Sequence, residues 1–256
     1  MRTLAIAAAA ALIVATGSAR AAEIDAMITT AMKAAIDELA AAFERDSGHK
    51  LRVVYGPSGG LARRFNGGEG ADLIVIDSTV LDELIKQGKV VAGSRVDLVR
   101  SLMGMAVRAG APRPDITSVE AFKQTLLRAK SIAISSSASG LYLSTEVFER
   151  LGIAGQMKGK TKISEEAVGT LVANGDAEIG FQQISELLPV PGIDYVGPLP
   201  AGVQRETVFS AGIVSGARAP DAARALITFF ASPAAAPAIR KTGLEPMTSI
   251  ASTTGR

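Results

Sequence analysis

The sequence has no cysteine, no tryptophan and a single histidine among its 256 residues. The missing thiols exclude disulfides, zinc–thiolate sites, iron–sulfur clusters and a cysteine nucleophile together. One histidine excludes multi-histidine metal sites, and it makes any Ser–His–Asp arrangement depend on His49 alone. Aromatic residues amount to only 4%, and the formal net charge is +2. Lys and Arg are scattered, so no basic patch asks for a nucleic acid. Long apolar runs are scarce too. Leu4 to Thr16 is uncharged but spans 13 residues, short of the roughly 20 that cross a bilayer. Arg2 precedes this run, and Gly17-Ser18-Ala19-Arg20-Ala21 follows with small residues suited to cleavage after Ala21. Residues 1–21 therefore read as a secretory signal peptide, so the mature chain is expected to be exported. Cleavage removes Arg2 and Arg20 and leaves 25 basic residues against 25 acidic ones.

What is present is an alternation of strand and helix. Ile24 to Ile28 is a short apolar strand. Met32, Ile36, Leu39 and Phe43 then share one helical face, and Gly48 ends that helix. Leu51 to Tyr55, Asp72 to Asp77, Ile132 to Ile134, Glu178 to Phe181 and Thr207 to Ser215 read as further strands, with a strand pair near Leu98 to Arg108. Helices are expected over Leu61 to Phe65, Thr79 to Gln87 with Ser78 or Asp77 as cap, Ser118 to Arg128 and Leu141 to Leu151. Three more are expected, from Ser164 to Gly175 and over Pro220 to Ala231 and Pro233 to Thr242. This pattern predicts an α/β protein of two lobes, each a mostly parallel sheet flanked by helices. Ligands of such sheets bind beyond the carboxyl ends of the strands.

The loops at those ends share a chemistry. Thr29-Thr30, Ser58-Gly59-Gly60, Ser78-Thr79, Ser135 to Gly140 and Gln182-Gln183 offer hydroxyls, amides and flexible backbone without a fixed countercharge. Four of them precede a predicted helix, whose free N–H groups suit an anion. Neither Gly56-Pro57-Ser58-Gly59-Gly60 nor Gly67-Gly68-Glu69-Gly70 matches a nucleotide-binding motif. No calcium-loop run exists, and His49 reads as an exposed boundary residue, so no metal and no cofactor is called for. A hydrolase lacks a usable triad. Asp72, Asp77 and Glu186 are the carboxylates placed for acid–base work, and Arg63 and Arg64 lie near the Gly-Ser loop. Tyr142 suits a cleft wall and a core equally.

With these residues in view, the chain resembles the periplasmic solute-binding proteins of the molybdate-binding type, a type II periplasmic-binding-protein family. The resemblance rests on Ala34-Ala35-Ile36-Asp37-Glu38-Leu39 with Phe43-Glu44, Ser58-Gly59-Gly60-Leu61-Ala62-Arg63 and Gly70-Ala71-Asp72-Leu73. Asn174 to Phe181 and Gly243-Leu244 complete it. It implies a ligand cleft between two lobes, one of residues 22–102 plus 205–256 and the other of residues 103–204. It also implies oxyanion contacts at Ser58, Ser139 and Val168. Ala31 stands where a binding Ser is usual, beside Thr29 and Thr30, and Gln183 stands near an expected Tyr. Phe181-Gln182-Gln183-Ile184-Ser185-Glu186-Leu187-Leu188-Pro189-Val190-Pro191-Gly192, with Ser135 to Gly140 and Tyr142, resembles the branch that includes periplasmic aconitate isomerase.

Two functions follow from the resemblance. The first is capture of a small anion, an oxyanion such as molybdate or an organic polycarboxylate, for an ABC-type transporter permease by a monomeric protein. The second is an isomerase that interconverts cis- and trans-aconitate by proton transfer in the cleft. The expected ligand contacts are Thr29, Thr30, Ser58, Gly59, Ser78, Ser137, Ser139, Tyr142, Val168, Gln182 and Gln183, with no catalytic base assigned.

Overall fold

A computed structural model describes residues 21–247; the expected signal peptide, apart from Ala21, lies outside them. Strand β1 (Glu23–Thr29) runs through a 3₁₀ turn (Thr30–Met32) into helix α1 (Lys33–Ser47). Gly48 closes α1 in the left-handed region at φ 75°, which a residue without Cβ adopts at little cost. β2 (Lys50–Gly56), α2 (Ser58–Asn66), β3 (Leu73–Asp77) and α3 (Ser78–Lys86) follow. Next come β4 (Val96–Arg108), α4 (Val119–Arg128), β5 (Ile132–Ser135) and α5 (Ala138–Tyr142). The last of these continues through a π turn (Leu143–Val147) into α6 (Phe148–Arg150). The chain proceeds through α7 (Ala154–Met157), β6 (Thr161–Ser164), α8 (Val168–Asn174), β7 (Ile179–Gln183) and α9 (Ile184–Leu187). It ends with β8 (Ile193–Pro198), β9 (Glu206–Ile213), α10 (Pro220–Phe230), α11 (Ala236–Lys241) and β10 (Glu245–Pro246).

The strands lie in the order β2-β1-β3-β9-β4-β7-β5-β6, with β8 and β10 also paired to β4. Pairing is parallel within β2-β1-β3 and within β7-β5-β6. It is antiparallel wherever β4 or β9 takes part. The sheet is therefore mixed, with two parallel blocks joined by two antiparallel strands. The partner of β4 changes at its middle: Leu102 faces Glu206 of β9, while Met103 faces Gln183 of β7. One continuous strand thus replaces the expected pair over Leu98 to Arg108. Gly104, in its middle, is required by packing. A Cβ there would lie 2.6 Å from the Tyr195 ring and 3.0 Å from Ile184.

Both faces of each block are buried, which is why β3 reads as an unbroken apolar run. Leu73 and Val75 join a core with Ile28, Ile36, Phe43 and Phe230, under α1 and α10. Ile74 and Ile76 point the other way, to Met27, Leu61 and Leu81 under α2 and α3. In the second block Ile132 and Ile134 pack with Met105, Phe122 and Phe181, while Ala133 joins Val168 and Leu171.

Of the two caps expected for α3, Asp77 serves, because its Oδ1 accepts the Thr79 N–H at 2.9 Å. Three local expectations need correction. Ser164 ends β6 instead of opening a helix; its hydroxyl accepts the Glu166 N–H in a turn, and α8 begins at Val168. Pro233 precedes α11 by a turn, so that helix is shorter than expected. His49 is buried, not exposed: Nδ1 accepts the Ala22 N–H at 3.1 Å, which ties the start of β1 to the corner after α1. Ser118 does cap α4, accepting the Ala121 N–H at 3.1 Å.

Candidate functional site

The parallel strands β1, β2, β3, β5, β6 and β7 end at Thr29, Gly56, Asp77, Ser135, Ser164 and Gln183. A cavity of about 510 Å³ lies where loops beyond these ends converge, walled from both parallel blocks. Thr29, Thr30, Ser58, Gly59, Ser137, Ser139, Gln182 and Gln183 all line it. So do Gly60, Arg63, Ser135, Ser136, Glu186 and Thr207.

Hydrogen bonds already made decide what each group offers a ligand. The Ser58 oxygen accepts the Asp77 N–H at 3.0 Å, so its own proton is free to donate. α2 has no side-chain cap, and its first intrahelical bond is donated by Leu61 to the Pro57 carbonyl at 2.9 Å. The amides of Ser58, Gly59 and Gly60 therefore lie at an open helix start beside the Ser58 hydroxyl. Across the cavity, the Ser137 hydroxyl lies 2.6 Å from that of Ser135 and 3.1 Å from that of Ser139, a ladder of donors and acceptors. This ladder depends on Gly140. A Cβ there would fall 2.0 Å from the Ser135 carbonyl oxygen.

The two glutamines have different duties. Gln183 Oε1 accepts from Ser101 at 2.6 Å on β4, and its amide donates to Thr207 Oγ1 at 3.2 Å on β9. It binds together the strands that join the two blocks, with one N–H left over. Gln182 Oε1 accepts the Val168 N–H at 3.0 Å. Because a backbone N–H can only donate, this bond orients the carboxamide, and its NH₂ is turned to Glu186. Glu186 is half-buried at the cavity wall. Loss of water raises its pKa from 4.5 to about 7, against the lowering effect of hydrogen bonds from Thr30 and Gln182.

Three expected contacts lie outside the cavity wall. Tyr142 is buried in the second block's core, its hydroxyl receiving Arg150 Nη1 at 3.2 Å. The Val168 side chain is core and its N–H is taken by Gln182. Ser78 begins α3 one residue behind Asp77, which faces the cavity in its place. Asp72 is spent on structure, accepting the N–H groups of Asp25, Arg218 and Ala219. Arg64 pairs with Glu69, whereas Arg63 lines the cavity.

Thr207 carries no local signal in the sequence because it sits within a strand, and Ser135 belongs to the hydroxyl-rich stretch Ser135 to Gly140 at the end of β5. Among the described residues no cluster of three His, Cys, Asp or Glu side chains suits a metal, and no helix is long and apolar enough to cross a membrane. A second hollow of about 300 Å³ lies by α4 at the start of β7, bordered by Glu120, Gln124 and Arg128. It is remote from the strand ends.

Two α/β blocks joined by paired crossing strands, with a polar cavity at their strand ends, define the fold of a periplasmic binding protein. The chain belongs to the bacterial extracellular solute-binding protein family, which matches residues 24–245. It is 45% identical over 218 residues to an aconitate isomerase of a Pseudomonas species, covering 83% of each chain. The structure of the periplasmic molybdate-binding protein of Azotobacter vinelandii superposes with a TM-score of 0.72 at 19% identity, covering 86% of this chain and 98% of that one. The sulfate-binding protein SubI of Mycobacterium tuberculosis superposes with a TM-score of 0.72 at 18% identity, covering 89% and 88%.

Proposed function

We propose that the protein captures a small organic polycarboxylate in the periplasm and passes it to a membrane transporter. The lobes would be residues 22–102 with 205–256, and residues 103–204. The observation that carries this reading is the cavity of about 510 Å³ between Ser58 on one side and the Ser135–Ser137–Ser139 ladder on the other. That space is more than one tetrahedral oxyanion fills, and its donors are spread so that separate carboxylates each meet their own set. Arg63 adds one positive charge at the wall. Thermal shift against cis-aconitate, trans-aconitate, citrate, molybdate and sulfate tests the proposal. A polycarboxylate at 100 times its Kd stabilises the fold by about 2.7 kcal/mol. Stabilisation by the oxyanions alone, or by none of the five, refutes it.

A second reading is favoured by the 45% identity to an aconitate isomerase: the bound polycarboxylate is also isomerised. Incubating purified protein with cis-aconitate and measuring the trans isomer separates capture alone from capture with turnover. Unchanged substrate at high protein concentration rejects turnover and leaves capture standing.

A further inference from the structure

We propose that Glu186 is the catalytic residue that carries a proton between the two arms of a bound alkene polycarboxylate, and that Gln182 and Thr30 position its carboxyl. The inference rests on the isomerase reading and deepens it.

The carboxylates around the cavity are not equivalent. Asp77 is committed to α3, accepting both the N–H and the hydroxyl of Thr79 at 2.9 and 2.7 Å. Glu165 and Glu166 lie exposed on the loop between β6 and α8. Glu186 alone of these four combines a position at the wall, partial burial and a carboxyl not spent on capping. Thr30, from the other parallel block, and Gln182 hold it. The Val168 N–H fixes which end of the Gln182 amide faces it. Arg63 is the one cationic side chain among the residues lining the cavity. The partly desolvated carboxyl, with its pKa near 7, is neither too weak a base to take an activated proton nor too strong to return it.

The chemistry balances without an added reagent. In aconitate the central carbon bears a carboxylate, a double-bonded CH–carboxylate arm and a single-bonded CH₂–carboxylate arm. Ionised Glu186 takes one methylene proton. That C–H bond breaks, its electron pair forms a new double bond to the central carbon, and the old double bond's electrons delocalise into the other arm's carboxylate. Hydroxyl and amide donors from Ser58, Ser137 and the start of α2 meet that growing charge. The protonated Glu186 then delivers its proton to the carbon of that arm. The arms have exchanged roles, and the new double bond takes the geometry in which the methylene arm was held. No oxidant, metal or cofactor enters the balance.

The test follows the intact mature protein by proton NMR in D₂O with cis-aconitate, alongside calorimetric binding of trans-aconitate. Wild type is expected to convert the isomers, and Glu186→Gln to lose at least 100-fold in kcat/KM while binding trans-aconitate within about threefold of wild type. A Glu186→Gln variant that turns over like wild type overturns the inference and leaves the isomerase reading intact. A wild-type protein that neither isomerises substrate nor exchanges deuterium into either arm rejects that reading, and the inference with it. Should Glu186→Gln fail to bind or fold, Glu186→Asp decides the matter. A lowered kcat with a displaced pH profile supports a proton carrier at this position, and an unchanged kcat and profile overturn it.

Discussion

Glu186 is held at a cost that depends on pH. Its folded pKa of about 7 lies above the ordinary 4.5, so between these values the folded protein keeps a proton that the unfolded chain has released. This contribution to stability is complete below about pH 4.5 and is lost as the pH rises through 7. Glu186→Gln removes the titration. The variant is expected to match wild type in urea unfolding at pH 4.5 and to exceed it at pH 8 by about 1–3 kcal/mol, the lower end reflecting the carboxyl's partial contact with solvent. Equal stability of the two proteins at pH 8 would show the carboxyl to be well solvated. Ser58 gives the complementary prediction for binding. Its oxygen is occupied by the Asp77 N–H, so Ser58→Ala removes a donor to the ligand and a partner for that amide. Titration calorimetry is expected to show a loss of about 1–1.5 kcal/mol, or roughly tenfold in Kd. Neither duty shows in the sequence. Glu186 there is one of several carboxylates following a strand, and burial separates it from the others.

At the scale of elements, most strands and helices were legible, because apolar residues recur at the spacing each structure requires. The runs Leu73 to Ile76 and Met32 to Phe43 announce a strand buried on both faces and an amphipathic helix. The misreadings share a cause. At Ser164 and His49 local convention points to a helix start and an exposed boundary residue, while residues distant in sequence, Ser135 and Ala22, decide otherwise. Gly140 shows the same coupling at the site. It lies in α5 against the end of β5, and the ladder of Ser135, Ser137 and Ser139 is shaped by that contact. Gly140→Ala forces α5 away from Ser135. The variant is expected to lose about 1–3 kcal/mol of stability to overpacking and to weaken ligand binding at least tenfold, read by calorimetric unfolding and titration on the same sample. Retention of both properties would show that α5 shifts without disturbing the hydroxyls.

For the whole molecule, the two parallel blocks meet through β4 and β9, tied to β7 by Gln183 through Ser101 and Thr207. Arg205, just before β9, reaches the second block, with its guanidinium 5.6 Å above the Tyr142 ring and Nη1 near the Ala138 carbonyl. With donors on both sides of the cavity, a ligand gains most when the blocks approach and exclude water. Small-angle scattering is expected to give a smaller radius of gyration with a saturating polycarboxylate, and hydrogen exchange to slow in α2 and α5. An unchanged envelope would mean that the cleft binds without closing. The alternating elements, the glycine that ends α1, the lack of thiol chemistry and the loops rich in hydroxyls and amides follow from residue type and short-range spacing alone. Which loops share a cavity, that Gln183 is a tie between strands while Gln182 orients Glu186, and that this carboxyl is partly removed from water all follow from packing in three dimensions. Those properties arise from groups far apart in sequence, such as Thr30 and Gln182 about Glu186, and burial and hydrogen-bond orientation do not exist until such groups meet.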